Sequence, residues 1–187
     1  MYFLEHIWMI PLFPVFGALL MLLIGKRLSN AVVSVVCPGM VGIAFLFSLG
    51  AVLELASLTE HRYELILYTW LPGSLFHLIN GQTAMLQADW GFLLDPLSAV
   101  MILVVTGVGF LIHVYSVGYM AHEGGYYRFF GYLNLFMFAM LTLVLANNYL
   151  LLFVGWEGVG LCSYLLIGFY FSRQSATTAG NKAFIVN

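Results

Sequence analysis

Residues Asn147 to Phe171 read NNYLLLFVGWEGVGLCSYLLIGFYF, an apolar run long enough to cross a bilayer and interrupted by one carboxylate, Glu157. At about 1.5 Å of helical rise per residue, Glu157 lies roughly 15 Å from the start of the run. A hydrocarbon core is about 30 Å thick, so the carboxylate falls near its midplane. An ionisable group at that depth costs on the order of 3 kcal/mol or more, and it faces protein or water rather than lipid. Gly155, Gly158, Gly160, Cys162 and Ser163 surround it and allow close helix approach.

The rest of the chain has the same character. Of 187 residues, 63% are hydrophobic and 7% charged, with a mean hydropathy of +1.00. A soluble domain carries about 25% charged residues, so this is an integral membrane protein. A net charge of −2 gives no basis for binding nucleic acid or anionic lipid. Cys37 and Cys162 fall inside apolar runs, where a free cysteine acts as a small hydrophobe. Their spacing suggests no disulfide framework. The opening stretch places Glu5 early and Lys26-Arg27 after its apolar run, the reverse of a signal peptide. A retained membrane helix is the expectation there.

Apolar runs predict an all-α polytopic protein with five membrane helices, over about 6–25, 31–55, 95–118, 128–146 and 148–171. A truncated sixth helical pattern runs from Gln174 to Asn187. Pro11 and Pro14 fall in the first turns of the first helix, where proline is best tolerated. Asp95, before Pro96, is placed to cap the third. The Ala146-Asn147-Asn148 turn makes the fourth and fifth an antiparallel pair. Three regions follow: 1–56 with two helices, an outer segment 57–94, and 95–187 with the remaining helices. In the outer segment, Asn80-Gly81 is flanked by alternating residues from Phe76 to Gln87. That pattern predicts a small β-hairpin between helices 2 and 3, resting on neighbouring protein. Tyr68, Trp70 and Trp90 are expected at headgroup level.

Charge sets the orientation. Lys26, Arg27, Arg128, Arg173 and Lys182, five of the six basic residues, fall on one face. Only Arg62 shares the other face with Glu5, Glu60, Glu64 and Asp89. The positive-inside rule then puts the N-terminus outside, in the periplasm if the membrane is a bacterial inner membrane.

Two readings of Glu157 stay open on the residues alone. It is either a structural polar group satisfied within the bundle or a carboxylate that carries protons. Burial raises a carboxyl pKa and a nearby cation lowers it, so a group caught between them can change protonation during a cycle. No basic residue lies inside the five helices. His113, near the inner end of the third, is either a proton relay or a hydrogen-bonded packing residue. Lys182 is the nearest later cation. Redox and hydrolytic chemistry find no support: there is no Gly-rich phosphate loop, and the Cys and His residues lack metal-ligand spacing. His6, His61, His77 and His122 lie outside the helices or at their ends, so His113 has no partner for a two-histidine haem.

The string Gly155-Trp156-Glu157-Gly158-Val159-Gly160-Leu161-Cys162-Ser163-Tyr164-Leu165-Leu166-Ile167-Gly168-Phe169, with Lys182-Ala183-Phe184-Ile185-Val186-Asn187, resembles the subunit L (chain 5) family of respiratory complex I. That complex is the proton-pumping NADH:quinone oxidoreductase. Asp95 to Met101 and His113 to Met120 resemble the third helix of the same family, and the likeness runs from roughly residue 65 to the end.

The resemblance implies an antiporter-like subunit of the membrane arm, with residues 95–187 beginning its proton-translocation domain. It implies that Glu157 pairs with a lysine on a seventh helix, beyond Asn187, and that Lys182 matches a lysine of the sixth, a candidate charge partner but not the principal one. The expectation is therefore an N-terminal fragment, without the second half of an inverted repeat and without pumping of its own. The implied partners are other membrane-arm subunits and the bilayer. No cofactor is implied in this chain; NADH, FMN, iron–sulfur clusters and quinone belong to partner subunits. The large subunit of a multisubunit Na+/H+ antiporter is an alternative, favoured less by the uninterrupted Gly158-to-Tyr164 string. A membrane assembly module without transport is another.

Overall fold

The structure, a computed structural model, describes residues 1–77 and 82–186. Three of the long helices begin at a side chain that satisfies a free N–H group, and a fourth begins at a glycine in a left-handed conformation. A short helix, α1 (Tyr2–Glu5), precedes α2 (Met9–Ile24), and a 3-10 turn over Gly25–Arg27 ends it. α3 (Asn30–Ala56) starts at Ser29, whose hydroxyl accepts from Val32 N. α4 (Pro96–Tyr119) starts at Asp95 in a reciprocal capping box with Ser98, with proline in the first turn. α5 (Tyr126–Val144) starts at Gly125, which adopts φ +80°, a conformation that favours glycine. α6 (Tyr149–Ile167) is capped by Asn148, and α7 spans Gln174–Val186.

Five of these helices are long and apolar enough to cross a membrane: Met9–Arg27 (with the 3-10 turn), Asn30–Ala56, Pro96–Tyr119, Tyr126–Val144 and Tyr149–Ile167. The predicted polytopic, all-α membrane fold is what is found, with boundaries moved by a few residues. The first membrane helix begins at Met9, a few residues later than expected, because the chain turns over residues 6–8 after the separate short helix α1. Glu54, at the end of α3, accepts the Leu4 N–H at 3.0 Å and so holds α1. The fifth run ends early: Gly168 closes α6, and Phe169 turns into the core beside Met21, Val33 and Phe130.

α5 is the central helix, packed against α2, α4 and α6, while α3 packs on α2 and α4, and α7 on α6. Two apolar clusters form at opposite ends. One joins Leu4, Ile10, Leu55, Phe92, Ile102 and Leu145, and the other joins Met21, Cys37, Met120, Tyr126, Phe130 and Phe169. Large apolar side chains such as Leu23, Val35, Leu46 and Leu111 point outward, as a lipid-facing surface requires. Cys37 and Cys162 are both free and buried, one on α3 and one on α6.

Between α3 and α4, β1 (Tyr63–His77) and β2 (Thr83–Leu94) pair antiparallel from Tyr63↔Leu94 to His77↔Thr83. The predicted hairpin is present and is longer than its central signal suggested. The Asn80-Gly81 pair itself lies outside the described residues. The base of the hairpin rests on the bundle, with Ala88, Phe92 and Leu94 buried, and Tyr68 stacks on Trp90 at 6.2 Å.

Asp95 gives a pH-dependent test of the α4 cap. The Ser98 backbone N–H on its carboxylate, at 2.7 Å, is the main cause holding its pKa below the ordinary value. A depressed folded-state pKa contributes stability above the unfolded value, and that contribution is lost as pH falls through the folded one. Asp95→Ala is therefore expected to cost about 1 kcal/mol at neutral pH. The gap between wild type and variant should close below about pH 4, read as detergent thermal midpoints at several pH values.

Candidate functional site

The helix that carries Glu157 is anchored at its N-terminal end by an asparagine pair. Asn148 Oδ1 accepts from Leu151 N at 3.0 Å, while Asn148 Nδ2 donates to the Asp89 carbonyl of β2 at 2.6 Å. Asn147 Nδ2 donates to Glu64 Oε1 of β1 at 3.1 Å. Leu93 N donates to Leu145 O at 2.8 Å, so the α5–α6 turn is laced to the hairpin base. Gly91 makes this approach possible: a Cβ there would lie 2.5 Å from Asn147 Nδ2 and 2.9 Å from Leu65 O.

Glycine then sets the rotation of α6. A Cβ at Gly155 would fall 2.6 Å from the Leu143 backbone nitrogen, and one at Gly158 would fall 3.0 Å from the Ala139 Cβ. Leu151, Gly155 and Cys162 are buried against the bundle. Residue 157 follows residue 155 by about 200° around the helix, so Glu157 points away from α5. Its side chain is exposed and makes no hydrogen bond or ion pair with another described residue. Glu157, Leu161, Tyr164 and Gly168 form one stripe. α7 covers its C-terminal end, with Gly180 against Gly168 and the Phe184 ring 5.7 Å from that of Tyr164.

That register is antiparallel and places Lys182 level with about Leu166. Lys182 is thus nine residues, ~14 Å, along α6 from Glu157. The fold does not bring the two together: the one ion pair among the described residues is Arg62–Glu64, at 3.7 Å.

His113 lies elsewhere, fully buried between α4 and α5. Its Nδ1 is 2.7 Å from the Gly109 carbonyl, and Asn134 Nδ2 donates to its Nε2 at 3.2 Å. The α5–α6 contacts put Glu157 level with about Met140, so Asn134 sits about six residues, ~9 Å, further toward the start of α5. Three other buried hydroxyls are satisfied within their own helices: Ser48 donates to Ala44 O, Thr106 to Ile102 O and Thr142 to Phe138 O. Asn134 reaches across to another helix. Sequence reasoning passed over it, although the signal was there: an amide between Leu133 and Leu135 in an apolar run. Near the start of α5, Arg128 stands over Phe169 and Phe171, 5.1 and 5.3 Å from their ring centroids. Among the described residues no three His, Cys, Asp or Glu side chains gather to hold a metal.

Comparison with known proteins gives this arrangement a family. Residues 81–130 match the family model described as NADH-Ubiquinone oxidoreductase (complex I), chain 5 N-terminus. Residues 146–187 match NADH:quinone oxidoreductase/Mrp antiporter, TM. The chain is 43% identical, over 98% of its length, to NADH-quinone oxidoreductase subunit L of Mycobacterium tuberculosis, of which it covers 28%. It is 43% identical to subunit L of Escherichia coli over 92% of the chain and 27% of the relative. For Pseudomonas aeruginosa subunit L the figures are 44%, 94% and 27%. The fold is similar to a chain in the structure of the Mrp complex from Dietzia sp. DQ12-45-1b. That match has a TM-score of 0.67 and 22% identity, covering 95% of this chain and 17% of that one.

An apolar helix bundle with these two matches defines the class of antiporter-like membrane subunits. Within that class, the chain belongs to the subunit L (chain 5) family of NADH-quinone oxidoreductases. It spans about a quarter of the length of the relatives it matches, corresponding to 28% of the Mycobacterium tuberculosis protein.

Proposed function

We propose that this chain serves in an antiporter-like membrane-arm subunit of NADH:quinone oxidoreductase and contributes to proton translocation coupled to NADH oxidation and quinone reduction. The observation that carries the reading is Glu157: a mid-span carboxylate on a face of α6 that other described residues leave uncovered. A charge held at that depth calls for a partner or a hydrated path. In this reading Glu157 takes up and releases the proton. A cation moving along the stripe that Tyr164 and Gly168 share with α7 favours its ionised form, and withdrawal of that cation favours the protonated one. Lys182 is a charge partner only if α7 slides toward Glu157. His113 relays protons toward the inner end.

Residues 1–56 and 57–94 frame the proton domain begun by 95–187. NADH, FMN, iron–sulfur clusters and quinone are held by partner subunits. The test is Glu157→Gln in the full-length subunit within its complex, with protons moved per NADH measured in proteoliposomes. An undiminished ratio would rule out the proposed role.

The proposed orientation puts the N-terminus and hairpin in the periplasm and the end of α6 in the cytoplasm of a bacterial cell. Single cysteines at Ser29 and Thr69, both exposed, should label from opposite sides of the membrane with an impermeant maleimide. Labelling from the same side would overturn the topology.

A further inference from the structure

Among the described residues, His113–Asn134 is the one hydrogen bond between two fully buried side chains, and the surrounding acceptors fix where its protons are. The Gly109 carbonyl can only accept, so His113 Nδ1 carries a hydrogen. The Phe130 carbonyl, 3.0 Å from Asn134 Nδ2, can only accept as well, which fixes the amide nitrogen on that side. The same nitrogen donates to His113 Nε2, so the imidazole is neutral in this arrangement. The remaining amide atom is the anomaly. Asn134 Oδ1 is buried and has no hydrogen-bond partner, although buried amide oxygens are almost always paired. It points into a notch on α2 where a Cβ at Gly17 would lie only 2.7 Å away.

We infer that Asn134 is a positioning residue whose side-chain amide turns over when His113 takes up a proton, making the pair a two-state element. This rests on the proposed reading of His113 as a proton relay. With both ring nitrogens protonated, Nε2–H would meet the amide NH2. Rotation by half a turn about Cβ–Cγ brings the idle Oδ1 in front of Nε2–H as a charge-assisted acceptor and swings Nδ2 into the Gly17 notch. Phe130 O loses this donor and then faces Oδ1, a repulsion that the charge-assisted bond to Nε2–H has to offset, while it keeps the backbone N–H one helical turn on. A cleft of about 220 Å³ between α4 and α5, lined by Val108, Gly109, Ile112, His113, Leu133 and Met137, reaches the ring. No carboxylate, lysine or arginine among the described residues pairs with His113 or Asn134 from α2, α3, α4 or α5. The bordering titratable groups are Tyr126, whose ring lies 4.8 Å from that of Phe130, and Cys37 of α3 in the same apolar cluster.

The test uses the full-length subunit, labelled with 15N-histidine, in its assembled complex. His113 resonances are assigned by difference from His113→Gln. The expected wild-type spectrum at neutral pH has Nδ1 protonated and Nε2 accepting. Asn134→Asp, which offers an acceptor to Nε2–H in either orientation, should raise the midpoint of His113 protonation by about one pH unit or more. It should also lower protons moved per NADH about tenfold and shift the pH profile of pumping in the same direction. Gly17→Ala keeps both polar side chains but crowds the amide, so it should alter the Nε2 resonance even if Asn134→Asp does not assemble. An unchanged His113 spectrum and titration in both variants would overturn the coupling. If the spectra change as expected but His113→Gln pumps at the wild-type ratio, the coupling stands and the relay role of His113 falls.

Discussion

Glu157→Gln should lower protons moved per NADH by roughly tenfold or more while leaving assembly and thermal stability of the complex at or above wild type. The two halves of this expectation come from the same geometry. Glu157 touches no other described residue through a hydrogen bond or ion pair, and it lies on the side of α6 away from Gly155 and Gly158. Glutamine keeps the volume and removes the charge. The Asn148 cap and the glycine contacts are untouched. Removing a charge from mid-membrane lowers an insertion cost of about 3 kcal/mol, so the fold has no reason to suffer. Loss of pumping is then assignable to the lost proton site. Glu157→Asp keeps a titratable group one methylene shorter and should retain part of the activity. Equal loss of assembly in both variants, or full pumping in Glu157→Gln, would defeat this expectation.

The membrane helices were legible because hydropathy over about 20 residues reports the solvent, and the solvent here is lipid. Glu157 was legible for the same reason, as the exception in its run. Helix ends were less so. Phe169, Tyr170 and Phe171 continue the apolar pattern past Gly168, yet they leave the helix, with Phe169 joining the Met21–Phe130 cluster beneath Arg128. Hydropathy cannot tell an apolar turn folded over a cation from an apolar helix facing lipid. The hairpin was legible through alternation, whereas its union with the α5–α6 turn depends on Asn147 and Asn148 meeting residues far away in sequence, Glu64 and Asp89. Asn134 escaped because a single amide says nothing about its partner. Only packing brings His113, 21 positions away, to its nitrogen and Gly17 to its oxygen. The role of Lys182 depended on register: a lysine on the next helix reads as a neighbour until the Gly168–Gly180 contact fixes its level.

Gly155→Ala should destabilise the protein by about 2 kcal/mol, a larger structural effect than any charge change in α6. Between membrane helices the surrounding tails are as apolar as the side chains, so association depends on close packing rather than on escape from water. The atoms that an added methyl at Gly155 would meet are the Leu143 backbone nitrogen and Cα, at 2.6 and 2.7 Å. A flexible side chain could swing aside, but backbone can yield only if α5 and α6 separate as bodies. Separation also loosens Gly158 from Ala139, 3.0 Å from its would-be Cβ. Gly39→Ala and Gly118→Ala are the matched controls, because a Cβ at either meets nothing within 4 Å. They should stay within about 0.5 kcal/mol of wild type, read as thermal midpoints in detergent. A Gly155→Ala midpoint equal to those controls would mean that α5 and α6 are not in backbone contact. If the midpoint falls as expected, protons moved per NADH should fall with it. Gly155 and Glu157 share one helical turn, and the contact that holds the first against α5 is what points the second away from it.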